Sequence, residues 1–316
     1  MLRSVLRTVL VLAMAVAVGA GAAGGAAPTL TTVNVSYVVS SSAVPLFVGV
    51  KAGFYAAQGL DVHSQPVAGS AAAVAGVTSG QLQFATGAAV TLVQAYASGI
   101  PIEIIGPEVA TTKGVTCLLA QTGTKLAQVH SIGLNTLAGS AQLANEMWLH
   151  GRGIDHTAIH YLAIPTANMI SILASGSIDA AVVTQPFVAQ ALAKGGFSCL
   201  GDDGVEYGPY GTASAFWFTS QSFARQNPQI VKAFSAALLR SNRYSATHLD
   251  AEIAADEQLT GTPLAPGVAT QFFGYPTGIN LGVLQRTASY GFQYGLIQSQ
   301  VTVKNMLWPG IRFTRI

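Results

Sequence analysis

The sequence predicts an α/β protein of two lobes, each a mostly parallel sheet flanked by helices. Three observations carry that expectation. Runs that alternate like strands are followed by small, apolar helical runs, with glycine or serine at the joins. Residues 80–84 and 176–182 echo each other, which suggests two similar lobes and not a short-period solenoid. At 316 residues the chain exceeds a typical single domain.

Taken in order, residues 1–7 are basic, Val9 to Val18 form an apolar stretch, and small residues continue to Ala27. This is the pattern of a cleavable export signal, with cleavage within 22–27 and no nearby cysteine for lipid attachment. Its removal takes away Arg3 and Arg7, so the remaining Lys and Arg balance the 13 Asp and Glu. The formal charge of +2 therefore says little about partners, and with no basic run nucleic acid is excluded as an expected partner. Mean hydropathy is +0.46 and hydrophobic content 50%. Past residue 30, however, no uninterrupted apolar run reaches the ~18 residues of a spanning helix.

The mature chain opens on a strand at 32–39, then a polar turn, Ser40, Ser41 and Ser42. A helix begins at Val44 with Pro45 in its first turn, where a missing N–H costs nothing. It is expected to run to Gln58, with Gly59 as its left-handed cap. A strand follows at 60–63, then Gly69 and Ser70 at the start of a second helix. A strand at 81–85 leads into a third helix start at Thr86 and Gly87. The strand at 100–106 ends where the composition turns polar, at Glu108, and a first crossing between lobes is expected at 108–113.

The second lobe repeats the plan. Strands are expected at 115–120, 130–135, 158–164, 177–184 and 197–200, with helices from about Ala141 to His150 and after Ala167. The Gly-rich stretch 202–212 suggests the return, with a crossing at 205–214, followed by a strand at 215–219 and a long helix from Ile230. The expected division is signal 1–27, lobe one 28–110, lobe two 111–211, and lobe one again over 212–316. Cys117 and Cys199 both fall in strand-like runs of lobe two. An exported protein permits a disulfide between them, two buried thiols being the alternative.

The stretch 44–88 carries a resemblance. Gly53, Phe54, Tyr55, then Gly59, Leu60, Asp61, Val62, then Gly69, Ser70, and finally residues 79–85 (SGQLQFA) follow a known order and spacing. In lobe two, residues 132–140 (IGLNTLAGS) and the Gln185, Pro186, Phe187 triplet add to it. This resembles the nitrate/sulfonate/taurine branch of the solute-binding proteins of ABC transporters, over nearly the whole mature chain and most weakly at 261–279. The lysine-rich lead-in usual before the lobe-two motif is absent. The resemblance implies the type II periplasmic-binding-protein fold, mostly parallel sheets with a two-crossing hinge. It implies an extracytoplasmic, non-lipidated and monomeric protein that closes around a small solute and delivers it to an ABC permease.

Strand C-terminal ends and helix N-termini converge where such folds bind ligands. The candidate ligand-binding residues are Ser41, Ser42, Gly69, Ser70, Thr86, Gly87, Asn135, Thr136, Ser140, Thr166, Thr184 and Gln185. No Lys or Arg lies in these loops, which favours a monoanion or a neutral heterocycle over a dicarboxylate. The solute classes expected are sulfonates, nitrate and aromatic carboxylates.

No cofactor, metal or catalytic residue is expected. His156 and His160 are four apart, but a Gly-bounded helix end precedes them, so they do not share a helix face. The serines lack a nucleophile elbow, and neither a dinucleotide fingerprint nor a phosphate loop occurs. Phe216, Trp217 and Phe218 read as core. An enzyme related to thiamine-pyrimidine synthase would need a histidine in a cleft loop, and none of the six histidines falls in one. A ligand-sensing module for a membrane receptor is the other alternative.

Overall fold

The computed structural model describes residues 29–261, 273–311 and 313–314. The expected export signal lies outside them. Lobe one begins with β1 (Thr31–Tyr37), α1 (Val44–Lys51), β2 (Leu60–Pro66), α2 (Ser70–Thr78), β3 (Phe84–Ala88), α3 (Ala89–Ala97) and β4 (Ile102–Ala110). Lobe two holds β5 (Thr116–Gln121), β6 (Ser131–Leu134), α4 (Ser140–His150), β7 (His160–Ala163), α5 (Thr166–Ala174), β8 (Ala180–Thr184), α6 (Phe187–Lys194) and β9 (Phe197–Cys199). The chain then returns through β10 (Ala213–Ser220), α7 (Gln221–Gln226), α8 (Pro228–Ser245), α9 (Leu249–Thr260), β11 (Ile279–Asn280), α10 (Leu281–Gln293) and β12 (Phe313–Thr314).

Each lobe is built on one five-stranded sheet, ordered β2-β1-β3-β10-β4 in the first and β7-β6-β8-β5-β9 in the second. In each, a single strand opposes the other four: β10 runs antiparallel to β3 and β4, and β5 antiparallel to β8 and β9. Both odd strands are the first to be laid down after the chain changes lobe. The expectation of two mostly parallel sheets with flanking helices therefore holds.

Both sheets are covered on both faces, so β4, β5 and β8 are buried along nearly their whole length, while the edge strands β2 and β7 are partly exposed. Along β10 the side chains alternate: Phe216 and Phe218 join the layer under α2, α3 and α10, while Trp217 turns to the layer under α1 and α8. There Phe234 of α8 stacks on Phe84 with centroids 4.0 Å apart and meets Trp217 at 5.2 Å. The aromatic triplet is core, as its sequence pattern indicates. Close approach of α1 to α8 depends on Gly49, where a Cβ would collide with Ser241.

Three local readings change. The helix starting at Val44 stops at Lys51, because Gly53 takes a positive φ of 71° and bends the chain so that Phe54 and Tyr55 turn into the core. Only a short 3-10 turn, Ala56–Gln58, precedes the left-handed Gly59. Thr86 and Gly87 belong to β3, paired with Trp217 and Phe216, and α3 starts only at Ala89. Likewise β4 continues through Glu108 to Ala110, held by β10, so Glu108 is a strand residue and not part of a crossing.

Cys117 and Cys199 form a disulfide joining β5 to its neighbour β9, with Cα atoms 5.6 Å apart. The open choice between bridge and free thiols is thereby decided within lobe two. The two inter-lobe segments are tied to each other: Asp202 accepts from the Gly114 N–H at 2.9 Å and from the Tyr210 hydroxyl at 3.0 Å, and the Gly211 N–H donates to Thr111 O at 3.1 Å. Such paired connectors allow the lobes to pivot while keeping register.

Candidate functional site

Parallel strands deliver their C-terminal ends, and the helices that follow, to the same edge of a sheet. In this chain the two edges face each other across a cavity of about 190 Å³. Lobe one brings Ser40 and Ser42 from the turn after β1, Gly69 and Ser70 from the start of α2, Thr86 and Gly87 from β3, and Glu108 from β4. Lobe two brings Asn135 and Thr136 after β6, Ser140 at the start of α4, Thr166 at the start of α5, and Thr184 at the end of β8. Thr91, Thr111, Thr116 and Ser214 add further hydroxyls, and Phe273 adds an aromatic wall.

Ten of the twelve candidates thus meet at one cavity. Ser41 and Gln185 do not. Ser41 is buried, and its hydroxyl donates to Asp256 Oδ1 on α9 at 2.7 Å, so it anchors the turn to the helix layer behind. Gln185 sits between β8 and α6. Its Oε1 accepts from the Ala189 N–H at 3.2 Å and its amide donates to Gly114 O at 3.3 Å, which makes it a cap and hinge support. In both cases the neighbour in sequence, Ser42 or Thr184, takes the cavity-facing place.

Helix starts supply the polarity of the walls. The N-cap positions of α2, α4 and α5 are Gly69, Gly139 and Pro165, and none uses a side chain to satisfy the first-turn N–H groups. Free amides and the positive end of each helix dipole therefore gather at the cavity. Ser70, the first residue of α2, instead ties that helix to the end of β3: its Oγ accepts the Ala88 N–H at 3.1 Å.

The lobes touch. Ser140 Oγ accepts the Val90 N–H of α3 at 3.0 Å, both groups being buried. Beside it the Gln94 amide donates to Ala138 O at 2.7 Å. Ala138 has a positive φ of 53°, and its N–H is held by Gln142 Oε1 at 2.7 Å. The loop before α4 is thus set to present its carbonyl to the opposite lobe.

Of the wall residues that reading the sequence missed, Glu108 is the ionisable one. It is 4% exposed and is the one ionisable side chain on the described wall. Its Oε1 accepts from the Ser42 hydroxyl at 3.1 Å, Ser42 Oγ lies 2.7 Å from Ser40 Oγ, and the Thr86 hydroxyl is a further partner. Burial pushes the carboxyl up to about 8, with the two hydroxyl contacts only partly opposing it. No local signal marks it: the alternation lapses after Ile104 and Pro107 speaks against a strand, and only pairing with β10 keeps residue 108 on β4.

Among the described residues no three His, Cys, Asp or Glu come together as a metal site. His156 lies in a short 3-10 turn and His160 in β7, so they share no helix face. No described helix is long and apolar enough to cross a membrane.

Solved structures share this architecture at low identity. The alkanesulfonate-binding protein SsuA from Xanthomonas axonopodis pv. citri, bound to MOPS, matches with a TM-score of 0.74 at 16% identity, over 92% of this chain and all of that one. The periplasmic nitrate-binding protein NrtA from Synechocystis PCC 6803 gives 0.73 at 14% identity, over 89% of this chain and 86% of that one. The ligand-binding component of an ABC-type import system from Staphylococcus aureus gives 0.76 at 14%, over 88% and 97%. At such identities these likenesses speak for the fold, that of the two-lobed periplasmic binding proteins. No curated protein sequence matches. The NMT1-like family profile matches residues 26–257, most of the chain, and the protein belongs to the NMT1-like family.

Proposed function

We propose that this protein is the extracytoplasmic solute-binding component of an ABC importer. It closes its lobes around one small anionic or polar organic solute of the sulfonate, nitrate or aromatic-carboxylate kind. The observation that carries this reading is the inter-lobe cavity itself, walled by strand C-termini and three helix starts without side-chain caps, with no Lys, Arg or His on the described wall. Amides and hydroxyls can hold a single negative charge without a formal countercharge. A cavity of about 190 Å³ suits a solute of small-molecule size.

In this mechanism an open form takes up solute on one lobe. Pivoting about the paired connectors then brings Asn135, Thr136, Ser140, Thr166 and Thr184 against the solute held by Ser42, Ser70 and Thr86. Closure is favoured because the solute completes contacts with both lobes at once. No nucleophile–base pair is proposed, so the solute leaves chemically unchanged. Export through a cleavable, non-lipidated signal, a monomeric state, and docking on a membrane permease complete the proposal.

Calorimetry with nitrate, alkanesulfonates, aromatic carboxylates and pyrimidines should find one-site binding. Small-angle scattering should show compaction on saturation, and mass spectrometry should return the solute intact. A converted product, or binding without any change in shape, would overturn the reading.

A further inference from the structure

Two features of the cavity oppose each other. Three helix N-termini favour an anion inside it, while the one ionisable group on the described wall is an acid, Glu108. An ionised carboxylate in contact with a bound anion would weaken binding on the order of a hundredfold or more, at the effective dielectric of a protein site. A cationic solute would remove that conflict but would face the positive ends of α2, α4 and α5. The arrangement is self-consistent when the carboxyl keeps its proton.

We propose that Glu108 serves the cavity as a hydrogen-bond donor, its carboxylic acid giving its proton to an oxygen of a monoanionic solute. This rests on the anion-binding reading above. The carboxyl accepts from Ser42 at Oε1 and has the Thr86 hydroxyl as a second partner, so when protonated its O–H is the one donor it can offer to the cavity. The acid then does the work usually given to a Lys or Arg, without adding a charge. It sets a class of ligand: monoanions are admitted, and dianions such as sulfate are rejected for want of a cation.

No cation faces Glu108; the Ser42 and Thr86 hydroxyls favour its ionised form, and burial outweighs them. Its strand neighbour β10 offers Ala213 and Ala215, and β3 offers Thr86. On α8 the inward group is the Asn242 amide, donating to Glu108 O at 3.3 Å, while Lys232, Arg240 and Arg243 are exposed. On α9, Asp256 is occupied with Ser41, and Glu252 with Tyr275. Lys113, in the first connector, is exposed. Burial is the dominant influence and raises the carboxyl to about 8.

The sign follows. Above pH 8 the free acid ionises and the solute must restore its proton, so affinity falls about tenfold per pH unit. Between pH 6.5 and 9.5 the loss should reach roughly thirtyfold. The test is calorimetry of the purified protein with sodium nitrate, sodium ethanesulfonate and sodium benzoate across that range, in buffers of different ionisation enthalpy. The expected result is weaker binding at pH 9.5 with uptake of about one proton, and no heat with sodium sulfate. In Glu108→Gln the amide still donates but cannot ionise, so the ratio of Kd values at the two pH limits should fall to about one. Asp203, which titrates in the same range at the hinge, remains in that variant, so a slope persisting in it would assign the effect to the hinge and overturn the role of Glu108. Binding of a monoanion with a flat wild-type profile overturns the donor role alone. If no monoanion binds at pH 6.5, or ethylammonium chloride binds instead, the anion reading falls and this proposal with it.

Discussion

Ser140→Ala tests whether the contact seen between the lobes contributes to solute affinity. The Ser140 hydroxyl accepts the Val90 N–H across the cleft at 3.0 Å, at a buried position. Val90 is in the first turn of α3, so its N–H has no partner within the helix. With alanine at 140 this donor is stranded whenever the lobes are closed, and is hydrated when they part. The cost therefore falls on the closed form alone, at about 1–3 kcal/mol for a buried unsatisfied group. Affinity should drop roughly five- to 150-fold by the standard conversion. The fold should hardly notice, because the N-cap of α4 is Gly139 and Ser140 makes no capping bond within its own helix. Loss of a true cap would cost about 0.5–2 kcal/mol of stability, whereas this change should cost under about 0.5 kcal/mol in denaturant unfolding. Calorimetry of the strongest-binding anion and an unfolding curve on the same preparation decide the matter. Unchanged affinity with the fold intact would mean that the inter-lobe bond plays no part in capture, and equal losses in both measurements would mean that Ser140 is structural.

Three further outcomes are expected. Gln185→Ala should lower stability by about 1–3 kcal/mol through the lost bonds to Ala189 and Gly114 while moving solute affinity by less than about threefold; a large affinity loss in a stable protein would return Gln185 to the site. Replacing both Cys117 and Cys199 by alanine opens a loop spanning 82 residues and should cost about 2–4 kcal/mol in denaturant unfolding, an unchanged midpoint being the contrary result. Thermal stability should be highest near pH 5 and fall towards pH 9. Burial raises Glu108 to about 8, and Asp203 and Glu252 to about 7 each. A carboxyl whose pKa is higher folded than unfolded binds more protons in the native state between those two values, so stability is lost as pH rises through that window. A melting temperature that is flat or rising between pH 5 and 8 would contradict this.

The order of strands and helices was legible because each join is marked by a glycine, a proline or a serine with a local physical job. Gly59 and Gly80 take positive φ, Pro45 sits in a helix first turn, and small residues let α2 and α3 lie close on the sheet. What escaped the reading were outcomes decided by partners distant in sequence. Nothing near Thr86 says that β3 continues; β10, well over a hundred residues later, extends it. Nothing near Gly53 shows that Phe54 and Tyr55 are wanted in the core under α8. The lining of the cavity was recoverable to the level of loops, and the misses were of single-residue phase. Ser41 and Ser42 are adjacent and alike, yet one faces α9 and the other the cavity, and only the packed turn distinguishes them.

Under the proposed reading, Glu108 shows why an anion site can hide in a sequence. A search for countercharges looks for Lys and Arg, and an acid on a strand reads as a mark against anions. The structure reverses that inference through the cost of burial. A carboxyl 4% exposed, held by hydroxyls and without a cation on the described wall, is less costly protonated than ionised at neutral pH. Once neutral it is a donor, and its negative sequence character ceases to matter. The proposal extends to closure: parting the lobes should return water to Glu108 and let its carboxyl relax towards the ordinary carboxylate range. Alkaline pH should then favour the open form even without solute. Scattering at pH 6.5 and 9.5 should show the solute-free protein expanding as pH rises, and Glu108→Gln should abolish most of the difference. A wild-type envelope that stays the same at both pH values would show that the buried acid is not coupled to the hinge.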